Sequence, residues 1–247
     1  MKEQKTLLCA AIGACLLFFS ACFKPPKDFD PRDGNNVYTG CRVKSIDGLP
    51  FAYNQNNDPV SLVRNGQAGT GNPSFYFKYD KKGRLVEYIS LFSETDYGFR
   101  HRYGYNGNQN RITTDTMYFM GGTEFPDLWA SRSIYYPTYD NLNRVVKDSV
   151  VTTGYPGTNT GYTIASYPYN EEGNLANGYS FDNKMNPHRT NKVWMFIDRN
   201  YSVNNPVAAV RYNTVGLPLS YANKSAATLV FNFNTYVGAT NIDYDCK

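Results

Sequence analysis

A tyrosine followed by Asp or Asn, then two free positions, then Gly or Asn recurs five times along this chain, and a unit repeated that often constrains the fold more than any other feature. The first copy runs from Phe75 to Leu85, with Phe75, Phe77 and Tyr79 alternating onto one face of a strand before Asp80 and Gly83. The others are anchored on Tyr105, Tyr139, Tyr169 and Tyr212. The second has a turn one residue longer, through Asn106, Gly107 and Asn108, and the third has Asn143 where the first has Gly83. An Asp or Asn side chain folds onto backbone N–H groups two residues on and starts a turn, while Gly or Asn three positions later takes a positive φ at little steric cost. The apolar residue that follows begins a return strand, so each copy predicts a β-hairpin. The anchors lie 26, 34, 30 and 43 residues apart, too irregular for a strict solenoid and suited to hairpins with loops of different length.

Composition agrees with this reading. The 22 Tyr and an aromatic content of 16% supply strand formers, and the many Asn residues supply turns. From Val37 onward no useful window has the apolar spacing of a helix, so helix is expected to be nearly absent. Pro137 and Pro168 lie within two residues of an anchor Tyr, and a regular central ladder does not tolerate proline, so a bulge or a strand edge is expected at each. A net charge of +4 without a basic stripe excludes a phosphate-binding surface, and with it a nucleic-acid partner.

The first residues read as an export signal. Lys2 and Lys5 precede an apolar run from Leu7 to Phe19, and this run of about 13 residues is short of the roughly 17 to 25 that a bilayer span needs. It ends in Ser20-Ala21-Cys22, which resembles the lipobox of bacterial lipoproteins, with Phe19 where Leu is usual. The resemblance implies a signal peptide over residues 1–21, cleavage before Cys22, and a diacylglycerol on its thiol that attaches the protein to a membrane. Phe23 stands where the inner-membrane retention signal has Asp, which implies the outer membrane. Residues 22–36 mix Pro25, Pro26, Pro31 and Gly34 with charged residues and read as a tether, leaving 37–247 as the folded domain. Cys9 and Cys15 leave with the signal, so Cys41 and Cys246 remain, bracketing the domain. In an oxidising compartment they are either joined or separately buried, and the sequence does not show whether their backbones meet.

At the five anchors the chain resembles the YD-repeat proteins, and more closely the Gram-negative lipoproteins that carry degenerate YD-like repeats. The resemblance extends over roughly Cys41 to Cys246. It includes Asp182-Asn183-Lys184-Met185-Asn186-Pro187, then Asn204-Asn205-Pro206, Gly216-Leu217-Pro218 and the closing Tyr244-Asp245-Cys246. It implies a fold and a cellular address and carries no reaction with it.

Candidate chemistry is sparse. His101 and His188 lack a second ligand at metal spacing and read as surface or strand residues, so no metal or cofactor is expected. Gly66 to Gly71 reads as a loop, because no helix pattern follows it to hold a phosphate. Calcium would need a denser acidic loop. Glu94, Asp96, Glu124, Asp127, Glu171 and Glu172 are the exposed carboxylates available to a glycoside hydrolase, and their spacing singles out no pair. Trp129, in a loop-like stretch from Gly121 to Ala130, and Trp194 are aromatic surface candidates for stacking on sugars, whereas the anchor Tyr residues read as cover for the sheet.

These features predict an all-β domain of antiparallel hairpins in a curved or partly closed sheet, lipid-anchored at Cys22, with a non-catalytic binding or structural role at the cell envelope. Its expected partners are the membrane and a glycan or an envelope protein. A glycan-binding or glycan-processing accessory protein is the alternative. A membrane-embedded barrel is disfavoured, because its strands of about 9 to 11 residues would need an apolar outer face.

Overall fold

Four of the five repeats fold as a turn between two strands: the first three line up in one sheet and the fifth forms a separate pair, while the fourth closes on a single bridge between Tyr169 and Leu175. The structure, a computed structural model, describes residues 30–64, 72–124, 128–154, 160–176, 178–206, 209–222, 231 and 240–247. The signal peptide, Cys22, the Gly66 to Gly71 stretch and Asp127 lie outside the described residues. The strands are β1 (Cys41–Ile46), β2 (Leu49–Tyr53), β3 (Pro59–Leu62), β4 (Ser74–Tyr79), β5 (Leu85–Leu91), β6 (Asp96–Tyr105), β7 (Ile112–Gly122), β8 (Trp129–Tyr139), β9 (Val145–Gly154), β10 (Thr160–Ser166), β11 (Arg211–Tyr212), β12 (Pro218–Ser220) and β13 (Ile242–Cys246). Eleven of them form one antiparallel sheet in the order β10-β9-β8-β7-β6-β5-β4-β3-β2-β1-β13, and β11 and β12 form a separate pair. The fold is therefore all-β, a long curved sheet that does not close.

The turns follow one design. At Asp80 the carboxylate accepts from the backbone N–H groups of Lys82 and Arg84, at 2.9 and 3.0 Å, while the backbone closes from Asp80 N–H to the Arg84 carbonyl. Asp140 and Asn213 do the same, and Asn170 accepts from the Asn174 N–H at 2.8 Å with the same backbone closure. The left-handed position has φ of +73° at Gly83, +57° at Asn143, +85° at Gly173 and +86° at Gly216. A further copy, beyond the five read from the sequence, follows Tyr53: Asn54 accepts from Asn56 and Asp58, and Asn57 has φ of +65°.

What the repeated Tyr does is hold one hairpin to the one before it. The Tyr79 hydroxyl donates to the carbonyl of Pro59, Tyr105 to Leu85 and Tyr139 to Ile112, in each case the residue that opens the preceding return strand. Arginines near the ends of the turns lie over the next Tyr ring: Arg84 over Tyr105 at 4.3 Å, Arg111 over Tyr139 at 4.7 Å and Arg144 over Tyr169 at 4.2 Å. Arg84 and Arg144 also pair with the Asp of their own turns, so one side chain stabilises two hairpins. Tyr169 and Tyr212 depart from this: the Tyr169 hydroxyl donates to the Arg199 carbonyl at 3.2 Å and that of Tyr212 bonds Asp182, neither reaching the preceding hairpin.

Both prolines sit at irregularities. Pairing of β8 with β7 ends at Tyr135, so Pro137 lies where β8 is bonded to β9 alone, next to the bulge at Thr138 and Tyr139. Pro168 lies between the end of β10 and the isolated bridge from Tyr169 to Leu175. A disulfide joins Cys41 to Cys246, which are register partners on β1 and β13.

One face of the sheet is covered by the segment between Met185 and Asn205. A 3-10 turn at Pro187–Thr190 and a short α-helix at Lys192–Ile197 are each capped by an Asn, Asn186 and Asn191. The helix is buried at four consecutive positions, Val193 to Phe196, so it has no amphipathic period to read. Trp194, 1% exposed, packs against Phe51, Phe77 and Phe231 and belongs to the core, which removes it from the sugar-stacking candidates. Trp129 opens β8 and does not sit in a loop. His188 is fully buried in the 3-10 turn, with Nε2 2.7 Å from Asp198, which corrects its reading as a surface or strand residue. The packed unit begins at Pro31, ahead of Val37: the Gly34 N–H donates to the Leu142 carbonyl at 2.6 Å and Arg189 donates to that of Asp33. Residues 31–36, expected to belong to the tether, are therefore part of the packed unit.

Candidate functional site

The chemistry that the sequence did not single out gathers on the covered face of the sheet, beside the C-terminal end of the short helix. His101 of β6, Asp115 of the adjacent β7 and Asp148 of β9, which lies beyond β8, come together toward Arg199, which follows the helix. His101 Nδ1 lies 2.7 Å from Asp115 Oδ1. The Arg199 guanidinium bridges the two carboxylates, with Nη2 donating to Asp115 at 3.1 Å and Nε to Asp148 at 2.8 Å. Asp115, Asp148 and Arg199 are all buried. Burial pushes the Asp115 carboxyl up, but His101 and Arg199 outweigh it and hold its pKa below the usual carboxylate range. Burial would lower the Arg199 pKa, yet Asp115 and Asp148 raise it, so the guanidinium stays charged wherever the fold persists.

Two features mark this cluster as more than packing. Arg199 has φ of +51°, a conformation that costs a side-chain-bearing residue energy and that Gly would adopt freely. Its own contacts hold it there: Nη1 donates to the Phe196 carbonyl at 2.5 Å, and the guanidinium lies 4.0 Å from the Phe196 ring centre. The second feature is Asp148, 0% exposed. Its Oδ2 accepts from Arg199 and from the Tyr167 hydroxyl, but Oδ1 has no hydrogen-bond partner among the described residues. A buried carboxylate oxygen left without a donor is costly, and a ligand or water would relieve it.

These groups border a cleft of about 400 Å³ whose walls carry Tyr88, Phe99, Phe119, Tyr135 and Tyr167. The His101 ring continues an aromatic row between Tyr88 and Tyr103, stacked at 5.8 and 6.1 Å. Phe119 remains 39% exposed, so an aromatic face is open at the mouth. The arrangement offers ring faces and fixed charged acceptors and donors side by side, which suits a ligand with apolar faces and several hydroxyls.

The carboxylates named from the sequence lie elsewhere. Glu94 and Asp96 flank the β5–β6 turn, Glu124 follows β7, and Glu171 and Glu172 form the tip of the fourth hairpin, all exposed. Asp115 and Asp148 were missed because each sits in a polar-looking strand, and only the register shows that it faces the core. The anchors Tyr79, Tyr105, Tyr139 and Tyr169 pack against that core. The turn motifs Asp182 to Pro187 and Asn204 to Pro206 do meet, with Asn205 donating to Asp182 at 3.1 Å and Met185 bridging Asn204. No group of metal-ligating side chains occurs among the described residues. The sequence matches no protein-family model, and no curated protein matches it.

Proposed function

We propose that this chain is a lipid-anchored protein of the cell envelope whose sheet domain binds a polyhydroxylated ligand, a glycan segment, without chemical turnover. The observation that carries the reading is the buried Oδ1 of Asp148, without a hydrogen-bond partner among the described residues, on a residue that borders a cleft walled by aromatic rings. A sugar hydroxyl donates to such an oxygen while the ring's C–H face packs on Tyr or Phe. The charge state favours binding over hydrolysis. A glycosidase acid needs a raised pKa, whereas the Asp115 carboxyl is held low beside Arg199. The lipobox-like start and the Tyr-anchored hairpins support an outer-membrane address alongside the YD-like lipoproteins.

A glycan array probed with the purified protein tests the ligand class. Phe119→Ala is expected to weaken binding at least tenfold without shifting the melting temperature, because Phe119 is exposed at the mouth of the cleft. Absence of any glycan bound, or shortening of a bound glycan by the protein, overturns the reading.

A further inference from the structure

The two ends of the sheet are finished differently. At one end β13 carries Asp243 and Asp245, pairs irregularly with β1 around Val43 and Ser45, and has Asn241 bridged to Ser220 just before it. At the other end lies β10, whose seven residues Thr160, Gly161, Tyr162, Thr163, Ile164, Ala165 and Ser166 include no charge and no proline. Its register with β9 runs from Thr160 to Ser166 without a bulge. Tyr162 is 63% and Ile164 56% exposed, on alternate positions and so on one face. Charges, prolines and bulges are the devices that keep a sheet edge from pairing, and β10 has none of them.

We propose that β10 pairs antiparallel with β10 of a second copy of this chain, joining the two sheets across a two-fold axis at Thr163. Reading outward from Thr163, the strand complements itself. Tyr162 meets Ile164, Gly161 meets Ala165, and Thr160 meets Ser166, each pair occurring twice by symmetry. The pairs are an aromatic ring on a β-branched chain, a small residue on a small residue, and a hydroxyl on a hydroxyl, and no like charges meet. Moving the axis to Tyr162 sets Gly161 against Thr163 and Thr160 against Ile164 and loses the aromatic-to-aliphatic pairs. With the axis perpendicular to the sheet, both copies keep their aromatic clefts on the same side. On the face that carries Tyr162 and Ile164, Tyr162 lies in register with Val151 and, beyond it, Ile134, so the paired edges extend an apolar row already present on each copy.

Cysteine substitution in the full-length chain, purified in detergent, tests the register. Thr163→Cys places two thiols across the axis, at a Cα separation of about 4.5 to 5.5 Å, within disulfide reach. Thr160→Cys lies about 20 Å from its symmetry mate, given a strand rise of about 3.3 Å per residue. Mild oxidation is expected to cross-link the Thr163→Cys protein to a dimer at least tenfold faster than the Thr160→Cys protein. Thr163→Lys sets like charges at the axis and is expected to give a monomer by sedimentation with an unchanged melting temperature. Equal cross-linking of both Cys variants, a wild-type monomer at all concentrations, or capture of Thr163→Cys only by a different protein overturns the proposal.

Discussion

Gly83 and Gly173 share a left-handed backbone but not a neighbourhood. A Cβ at Gly83 would meet nothing closer than 3.5 Å, whereas at Gly173 it would lie 2.6 Å from Arg32 Cγ and 3.0 Å from a Val203 methyl. Gly83→Ala is therefore expected to cost about 1 kcal/mol, the backbone penalty alone. Gly173→Ala costs more, because the clash adds to it. Gly83→Val exceeds Gly83→Ala, since a β-branched residue is the least tolerant of positive φ. The exposed tip variants Lys82→Ala and Glu172→Ala stay within about 0.5 kcal/mol. Urea unfolding of the set checks the order, and equal costs at the Gly and tip positions would refute the turn assignment. The turn chemistry was legible in the sequence because Asp80, Asn143 and the glycines act on their own backbones within four residues. The proposed lipidation is read from equally local residues: mass spectrometry of the mature N-terminus is expected to find acylated Cys22, and Cys22→Ser an unprocessed or detergent-independent species.

At the scale of elements, hairpins are tied by side chains that reach back one unit. Tyr105→Phe removes the donor to the Leu85 carbonyl and is expected to cost about 1 kcal/mol, while Tyr136→Phe on the exposed face of β8 changes stability by less than about 0.5 kcal/mol. Thermal unfolding of the two variants separates an anchor from a surface ring. The disulfide ties the first strand to the last, closing a loop of 205 residues, and its removal costs up to about 5 kcal/mol in the chain-entropy model. Cys246→Ser paired with Cys41→Ser is expected to lower the melting temperature and to release β13 first, read as early amide exchange at Ile242 to Cys246, because β13 lies at the end of the sheet. The identity of the Tyr repeat was visible in the sequence, but its purpose was not. The acceptors Pro59, Leu85 and Ile112 lie 20 to 27 residues away, and which carbonyl is reached depends on how the strands pair.

Across the whole molecule, buried charge sets the response to acid. Burial raises the Glu87 and Asp115 carboxyls, but Lys78 and Arg100 around Glu87, and His101 and Arg199 around Asp115, outweigh it and hold both below their ordinary values. Carboxyls that ionise at lower pH in the folded than in the unfolded chain contribute stability that is complete above the unfolded values of about 3.9 and 4.3. That contribution is lost as pH falls through the lower native values. Urea midpoints are therefore expected to be flat near neutrality and to drop below about pH 4, and Glu87→Gln is expected to shallow the drop. An unchanged midpoint at pH 3 would mean that these ion pairs do not outweigh their burial.

The sequence by itself determined the class of fold and the turns, because strand alternation and Asx turns are written within about ten neighbouring residues. It also showed two cysteines at the ends of the domain without showing that they meet. The tertiary structure alone decided that Cys41 and Cys246 are register partners, that Trp194 is core, and that His188 is buried. It also decided that Asp115, Asp148 and Arg199 share one cleft, although they come from β7, β9 and the segment after the short helix. Strand order and register place these residues, and both follow from packing the whole sheet against one covering segment, to which no local pattern responds.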